Sequence, residues 1–292
     1  MFSSDCHKEL FLDVLGRHVR VECRDARARD LLLANYGQMQ GHESKVPDLE
    51  YTVRSHGKRS GFRIARRGCE PLVAADDGDF LFLFEKDMTI ELQKLRRDLY
   101  FIHAAALALS GRAFLLVAAS GKGKSTTTWA LLHHGFDYLS DEMAPLGLNA
   151  MEVQPYPHAI CLKKEPPSPY FLPAKAVRTA STLHIPTAQL PNPAVMKPMP
   201  LAAIFFLEYC PGLSYPGVSP VSPAEAAARL FVHTLNPLAH AEDGLTGAVA
   251  VAQKVPSFRL DSGPLRPTCE LLGKTLEGIA EPDHCPYPAH SA

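Results

Sequence analysis

The stretch RAFLLVAASGKGKSTTTWALLHHG, residues 112–135, constrains the fold more than any other part of the chain. Residues 113–119 are apolar and read as a buried strand. The run breaks into small residues and glycines, and a helical pattern begins at Lys124 and closes at Gly135. A strand that feeds a helix through a glycine turn opens an α/β unit, and such a strand is covered on both faces. The preceding run YFIHAAALALSG is equally apolar, so two buried strands joined at Ser110-Gly111 are expected.

The turn itself carries chemistry. Residues 118–125, AASGKGKS, match the phosphate-binding loop in its Ala-first form, with Ala118 in place of the usual first glycine. Gly121 and Gly123 let the main chain bend with its N–H groups facing inward. Those donors, from Ala119, Ser120 and Lys122 onward, join the positive end of the following helix to form a cradle for phosphate oxygens. Lys124 is placed to reach the β- and γ-phosphates of ATP, and the Ser125 hydroxyl to ligate Mg²⁺, with Thr126 next to it. The competing reading is a glycine turn that happens to carry Lys-Ser.

Acids are expected close by. FDYLSDEMAPL reads as a strand ending in Asp141 and Glu142, one helical crossover after the turn, which permits a parallel neighbour in the sheet. One carboxylate would take Mg²⁺ and the other the proton of an attacking hydroxyl. A solvated acidic turn is the bland alternative. His103, alone among apolar residues in YFIHAAAL, reads either as a satisfied core histidine or as a catalytic group.

The first hundred residues read as short strands. Two apolar runs flank Gly16, LEYTVRS and GFRIARR flank a turn, and GDFLFLFEK reads as a further strand before a helical MTIELQKLRRDL. Between 155 and 223 lie 15 of the 25 prolines, so little regular helix is expected there. SPAEAAARLFVHTL is a helix with Ser222 as N-cap and Pro223 in its first turn. A helix and strand in GLTGAVAVAQKVPSFRLD and a helix in PTCELLGKTLEGIA follow.

In this order the features resemble the HPr kinase/phosphorylase family, in its short form. The matching residues are His103, ASGKGKST, the helix closing at Gly135, LSDE, PYPHAICLKKE, IFFLEYCPG and SPAEAAARL, over about 100–275. The resemblance implies an α/β kinase core with a mixed sheet, of the type shared with ATP-dependent phosphoenolpyruvate carboxykinases, plus a small β-rich N-terminal region. It divides the chain into a β-rich region 1–98, a catalytic domain 99–280 and a tail 281–292. It implies ATP-dependent phosphorylation of a serine, in a protein, a peptide or free serine. Lys124 and Ser125 then match the loop lysine and the metal-ligating hydroxyl, His103 a histidine near the transferred phosphate, and Asp141-Glu142 an Asp-Asp pair. Cys161 stands where the bifunctional enzymes carry a later magnesium-binding glutamate, with Glu165 nearby, so phosphorylase activity is not expected. Lys163 reads as a phosphate contact or as a solvated strand-end lysine. The segment 165–200 reads as a loop folding over the acceptor or as a linker. A homo-oligomer is consistent with the family.

Composition narrows the alternatives. A formal charge of −1 provides no overall field for nucleic acid or an anionic membrane. The start MFSSDCHKEL lacks the basic-then-apolar pattern of a signal peptide, and no apolar run is long enough to span a bilayer. Seven scattered cysteines without a CxxC suggest neither a disulfide framework nor a zinc ribbon, so a reduced, cytoplasmic protein is expected. The rival function is a nucleotide-binding switch or peptide-recognition module that transfers nothing.

Overall fold

The structure is a computed structural model that describes residues 8–43, 46–57 and 60–280. The expected tail 281–292, with Cys6 and Cys285, lies outside the described residues. The chain divides into two compact units. One comprises Met1–Leu99, Leu139–Asp141 and Pro155–Met196, and the other Tyr100–Tyr138, Glu142–Gln154 and Lys197–Ala292.

The first unit is built on a five-stranded sheet in the order β1-β2-β3-β4-β5. β1 (Lys8–Val14) and β2 (Arg17–Cys23) form a hairpin. Its turn residues Leu15 and Gly16 both have positive φ, 52° and 72°, the geometry that matches strand twist in two-residue loops. α1 (Ala26–Tyr36) starts at Asp25, whose carboxylate accepts from the Ala28 N–H at 3.0 Å. After α1 the chain returns in β3 (Leu49–His56), parallel to β2, and continues antiparallel into β4 (Gly61–Arg66) and β5 (Leu72–Ala74). Period-two alternation sends Leu10, Leu12, Val19, Val21, Tyr51, Val53, Phe62 and Ile64 inward.

GDFLFLFEK is not a strand. It opens α2 (Asp77–Leu95), which runs without a break into MTIELQKL. The alternation of Phe80, Phe82 and Phe84 imitates a strand, but a longer helical row, Phe80, Phe84, Met88 and Leu92, is what the core takes up. The cap decides the start: Asp76 accepts from the Asp79 N–H at 3.0 Å, with Asp77 and Asp79 in the first turn and Lys94 in the last. Phe82, on the other side, is left exposed. Phe84 lies against Tyr36 and Tyr51, with ring centroids 5.9 and 5.0 Å away.

The proline-rich segment contributes three short antiparallel strands to this unit, Ile160–Leu162, Leu183–Ile185 and Val177–Arg178. Its described helical content before Ser222 is the 3₁₀ turn Thr187–Gln189, as expected where prolines remove donors.

The second unit is organised around a mixed sheet. Its strands include β6 (Tyr100–Ile102), β7 (Ala104–Leu109), β8 (Arg112–Val117), β10 (Ala144–Gly147) and β11 (Glu152–Val153), with β9 (Asp137–Ser140) beginning in it. The long strand Met199–Tyr209 runs parallel to β8 on one side and to Ser257–Ser262 on the other. The order is β6-β10-β11, the long strand, then β8-β7-β9. β7 and β8 form the expected hairpin through Ser110 (φ 50°) and Gly111 (φ 79°). Ala104–Ala108 and Ala113–Leu116 are fully buried, as two-sided coverage requires. The helices are α3 (Lys124–Leu132), α4 (Pro223–Val232), α5 (Leu245–Lys254) and α6 (Leu265–Ala280). The Ser222 hydroxyl caps α4 through the Glu225 N–H at 3.3 Å. One expectation fails here: β9 is not the neighbour of β8, because β7 stands between them. The hairpin partner wins that edge since a two-residue turn closes at far lower entropic cost than a helical crossover. No described helix is long and apolar enough to cross a membrane. Cys23, Cys69, Cys161, Cys210 and Cys269 are free thiols.

Candidate functional site

The glycine turn sits where β8 ends. Ala118 is still buried, whereas Ala119, Ser120, Gly121 and Lys122 are exposed. Gly121 has φ 82° and Gly123 φ 89°. A Cβ on Gly121 would touch nothing within 4 Å, and one on Gly123 would meet only Tyr209 Cβ at 4.0 Å. Backbone conformation, not space, therefore selects glycine at both positions. Gly123 is the N-cap of α3, and no side chain caps the helix. The first-turn amides lie at the positive end of the helix dipole, where an anion is stabilised.

Lys124 opens α3 and is only 5% exposed, an unusual depth for an ammonium group. Two partners hold it. Its Nζ lies 3.3 Å from His103 Nε2 and 3.3 Å from Glu142 Oε2. His103 follows β6, and its Nδ1 lies 2.9 Å from the Glu142 carbonyl oxygen. Burial, then the Lys124 charge, pushes the His103 imidazole below its ordinary value, against the opposing pull of Glu142. A neutral ring with its proton on Nδ1 satisfies both contacts: Nδ1–H donates to the carbonyl and Nε2 accepts from the ammonium. Glu142 has φ 68°, a left-handed conformation that brings both its carbonyl and its carboxylate to this cluster, and its side chain is 44% exposed.

His233, at the end of α4, was not singled out from sequence. Its carbonyl accepts the His103 N–H at 2.7 Å, and the two rings stack at 6.1 Å. Burial first, then His103 and Lys124, lowers its imidazole as well. Beside the turn lies a cleft of about 380 Å³ lined by Ala118, Lys122, Phe206, Arg229 and His233, among others. The Arg229 guanidinium stands over the Phe206 ring at 5.3 Å and pairs with Glu225 at 2.7 Å. Phe206, Arg229 and His233 each enter from a strand or helix more than eighty positions beyond the turn, so the turn motif does not mark them.

The structure thus brings together Lys124, His103 and Glu142 beside the turn 118–123, with Ser125 and Thr126 half-buried in the first turn of α3. Asp141 belongs to the first unit, fully buried, with its carbonyl 2.6 Å from His158 Nε2. Glu165 forms an exposed ion pair with Arg178. Among the described residues no group of three or more His, Cys, Asp or Glu is arranged to hold a metal ion.

No protein-family model matches this chain, and no curated protein matches its sequence. Among solved structures, the Hpr(Ser) kinase/phosphatase from Coxiella burnetii matches at 13% identity and a TM-score of 0.31, over 61% of this chain and 88% of that one.

Proposed function

We propose that this chain is an ATP-dependent phosphotransferase that passes the γ-phosphoryl group to a serine hydroxyl of a protein or peptide. One observation carries the reading: a nearly buried lysine stands directly after a left-handed glycine turn, at a helix start, between a histidine and a carboxylate. Burying an ammonium group costs free energy that its pairing with Glu142 offsets, and a cation held this way beside the turn is placed to offset phosphate charge.

In this reading the amides of 119–125, apart from that of Lys122, which donates to the Ala119 carbonyl at 3.2 Å, hold the β- and γ-phosphate oxygens. Lys124 neutralises charge on the transferring group, and His103 Nε2 keeps the ammonium aimed. Ser125 Oγ would hold Mg²⁺, with water and phosphate oxygens completing the shell, the sparse protein ligation that Mg²⁺ accepts. When bound, the ion neutralises charge on the phosphates. Glu142, the exposed acid, takes the proton of the serine hydroxyl. The hydroxyl oxygen bonds to the γ-phosphorus, and the bond to the bridging oxygen breaks with its electron pair going to ADP. A serine acceptor is what the sequence resemblance implies.

The test is incubation with γ-labelled ATP, Mg²⁺ and three acceptors: free serine, a serine-ended peptide and a small carrier protein. Transfer is expected to at least one acceptor. Lys124→Met, which keeps the buried stem, should lower kcat/KM by at least about a hundredfold, as for loss of a transition-state charge contact. An unchanged rate in that variant refutes the mechanism. Nucleotide binding without transfer to any acceptor favours the rival recognition module.

A further inference from the structure

The outer face of the five-stranded sheet carries a row of like charges. Val53 on β3 and Phe62 and Ile64 on β4 point into the core, so Thr52, Arg54, Arg63 and Ala65 point outward. The antiparallel register sets Arg54 directly opposite Arg63 and Thr52 opposite Ala65. β2 lies parallel to β3 with Cys23 beside Val53, and the Arg24 N–H donates to the Val53 carbonyl at 2.8 Å. Arg24, Arg54 and Arg63 therefore form one row across the sheet. Val73, paired with Arg63 on β5 and 51% exposed, continues it.

The same face shows how paired charges look. Glu50 receives Arg20 at 3.4 Å and Arg67 at 3.3 Å, so that neighbouring row alternates in sign. Arg24 is held by Glu22 at 2.8 Å. Arg54 and Arg63 differ: among the described residues no carboxylate lies within ion-pair distance of either. Like charges directly opposite one another work against strand pairing. With Arg24, Thr52, Ala65 and Pro71 they line a concavity of about 240 Å³.

We infer that this face docks an acidic polypeptide segment. Arg54 and Arg63 receive its carboxylates, for which the guanidinium fork is well matched, while Ala65 and Val73 offer apolar surface to an intervening side chain. From Arg24 to Arg63 the row crosses three strands and at the usual strand spacing spans roughly 10 Å, more than one small anion covers and about the length of three residues of an extended chain. Binding here stands apart from phosphotransfer and requires no nucleotide.

Fluorescence anisotropy of a labelled hexaglutamate peptide, titrated with the full chain without ATP, tests this. The peptide should bind, more weakly as salt rises. The double variant Arg54→Gln/Arg63→Gln should lose at least tenfold in affinity, while Arg20→Gln, in the neutralised row, changes it by less than about twofold. The thermal midpoint of the double variant should stay level or rise, since the repulsion is gone, which separates lost binding from lost fold. Equal affinity in wild type and double variant overturns the inference, as does equal binding of hexaglutamine. Displacement of the peptide by pyrophosphate, at concentrations where pyrophosphate binds alone, would make this a small-anion site and refute the polypeptide occupant. Tighter binding of a single-stranded oligonucleotide would refute it too.

Discussion

His184 makes the stability of the first unit depend on pH. It lies in the strand Leu183–Ile185, is 6% exposed, and its Nε2 is 3.0 Å from Thr182 Oγ1. Burial, with a smaller contribution from the charge of His158, pushes its imidazole down to about 4 from the ordinary 6.5. The folded value is the lower one, so the unfolded chain takes up the proton first. The stabilisation is complete above pH 6.5, falls as pH drops toward 4, and is gone below that. At about 1.4 kcal/mol per pH unit the interval amounts to about 3 kcal/mol, a large part of a typical domain's stability. Urea unfolding at pH 7.5, 5.5 and 4, in wild type and His184→Gln, isolates the effect. Glutamine keeps a donor to Thr182 and does not titrate, while carboxylates and the histidines other than His158 contribute alike to both proteins. Wild type should lose about 3 kcal/mol more than the variant between pH 7.5 and 4. Parallel losses would refute the reasoning, as would an NMR titration of the His184 ring with a midpoint near 6.5.

Two further outcomes follow from packing and backbone geometry. Phe84→Ala removes a fully buried ring set among Tyr36, Tyr51 and Phe80, and should cost about 3–5 kcal/mol by the shift of the urea midpoint. Gly121→Ala should cost about 1 kcal/mol through its φ of 82° although its Cβ meets nothing, whereas Gly37→Ala, equally open but at φ −56°, should be neutral or slightly stabilising.

How much of the site was legible depends on how far apart its parts lie in the chain. The turn 118–123, the start of α3 and the exit from β8 are contiguous, and local rules are enough for them: glycines where φ is positive, apolar residues where both faces are covered. The β7–β8 hairpin was legible for the same reason. GDFLFLFEK was misread because a four-residue alternation satisfies both periods. Only the continuation to Met88 and Leu92, together with the Asp76 cap, breaks the tie. His103 and Glu142 stood out as residue types in plausible places, but their meeting at Lys124 could not be deduced. Nor could His233, whose contact with His103 spans 130 positions.

By itself, then, the sequence determined the elements whose causes are short-ranged: the strand–glycine–helix passage, the cap at Ser222, and the proline-rich stretch without α-helix. Tertiary structure decided what needs two distant segments in register: the burial of Lys124 between His103 and Glu142, the insertion of β7 between β8 and β9, and Arg54 standing opposite Arg63. The physical reason is that hydrogen-bonding and conformational preferences act over a few residues. Which side chains then face each other is settled by burial of apolar surface, which is non-directional and summed over the whole chain.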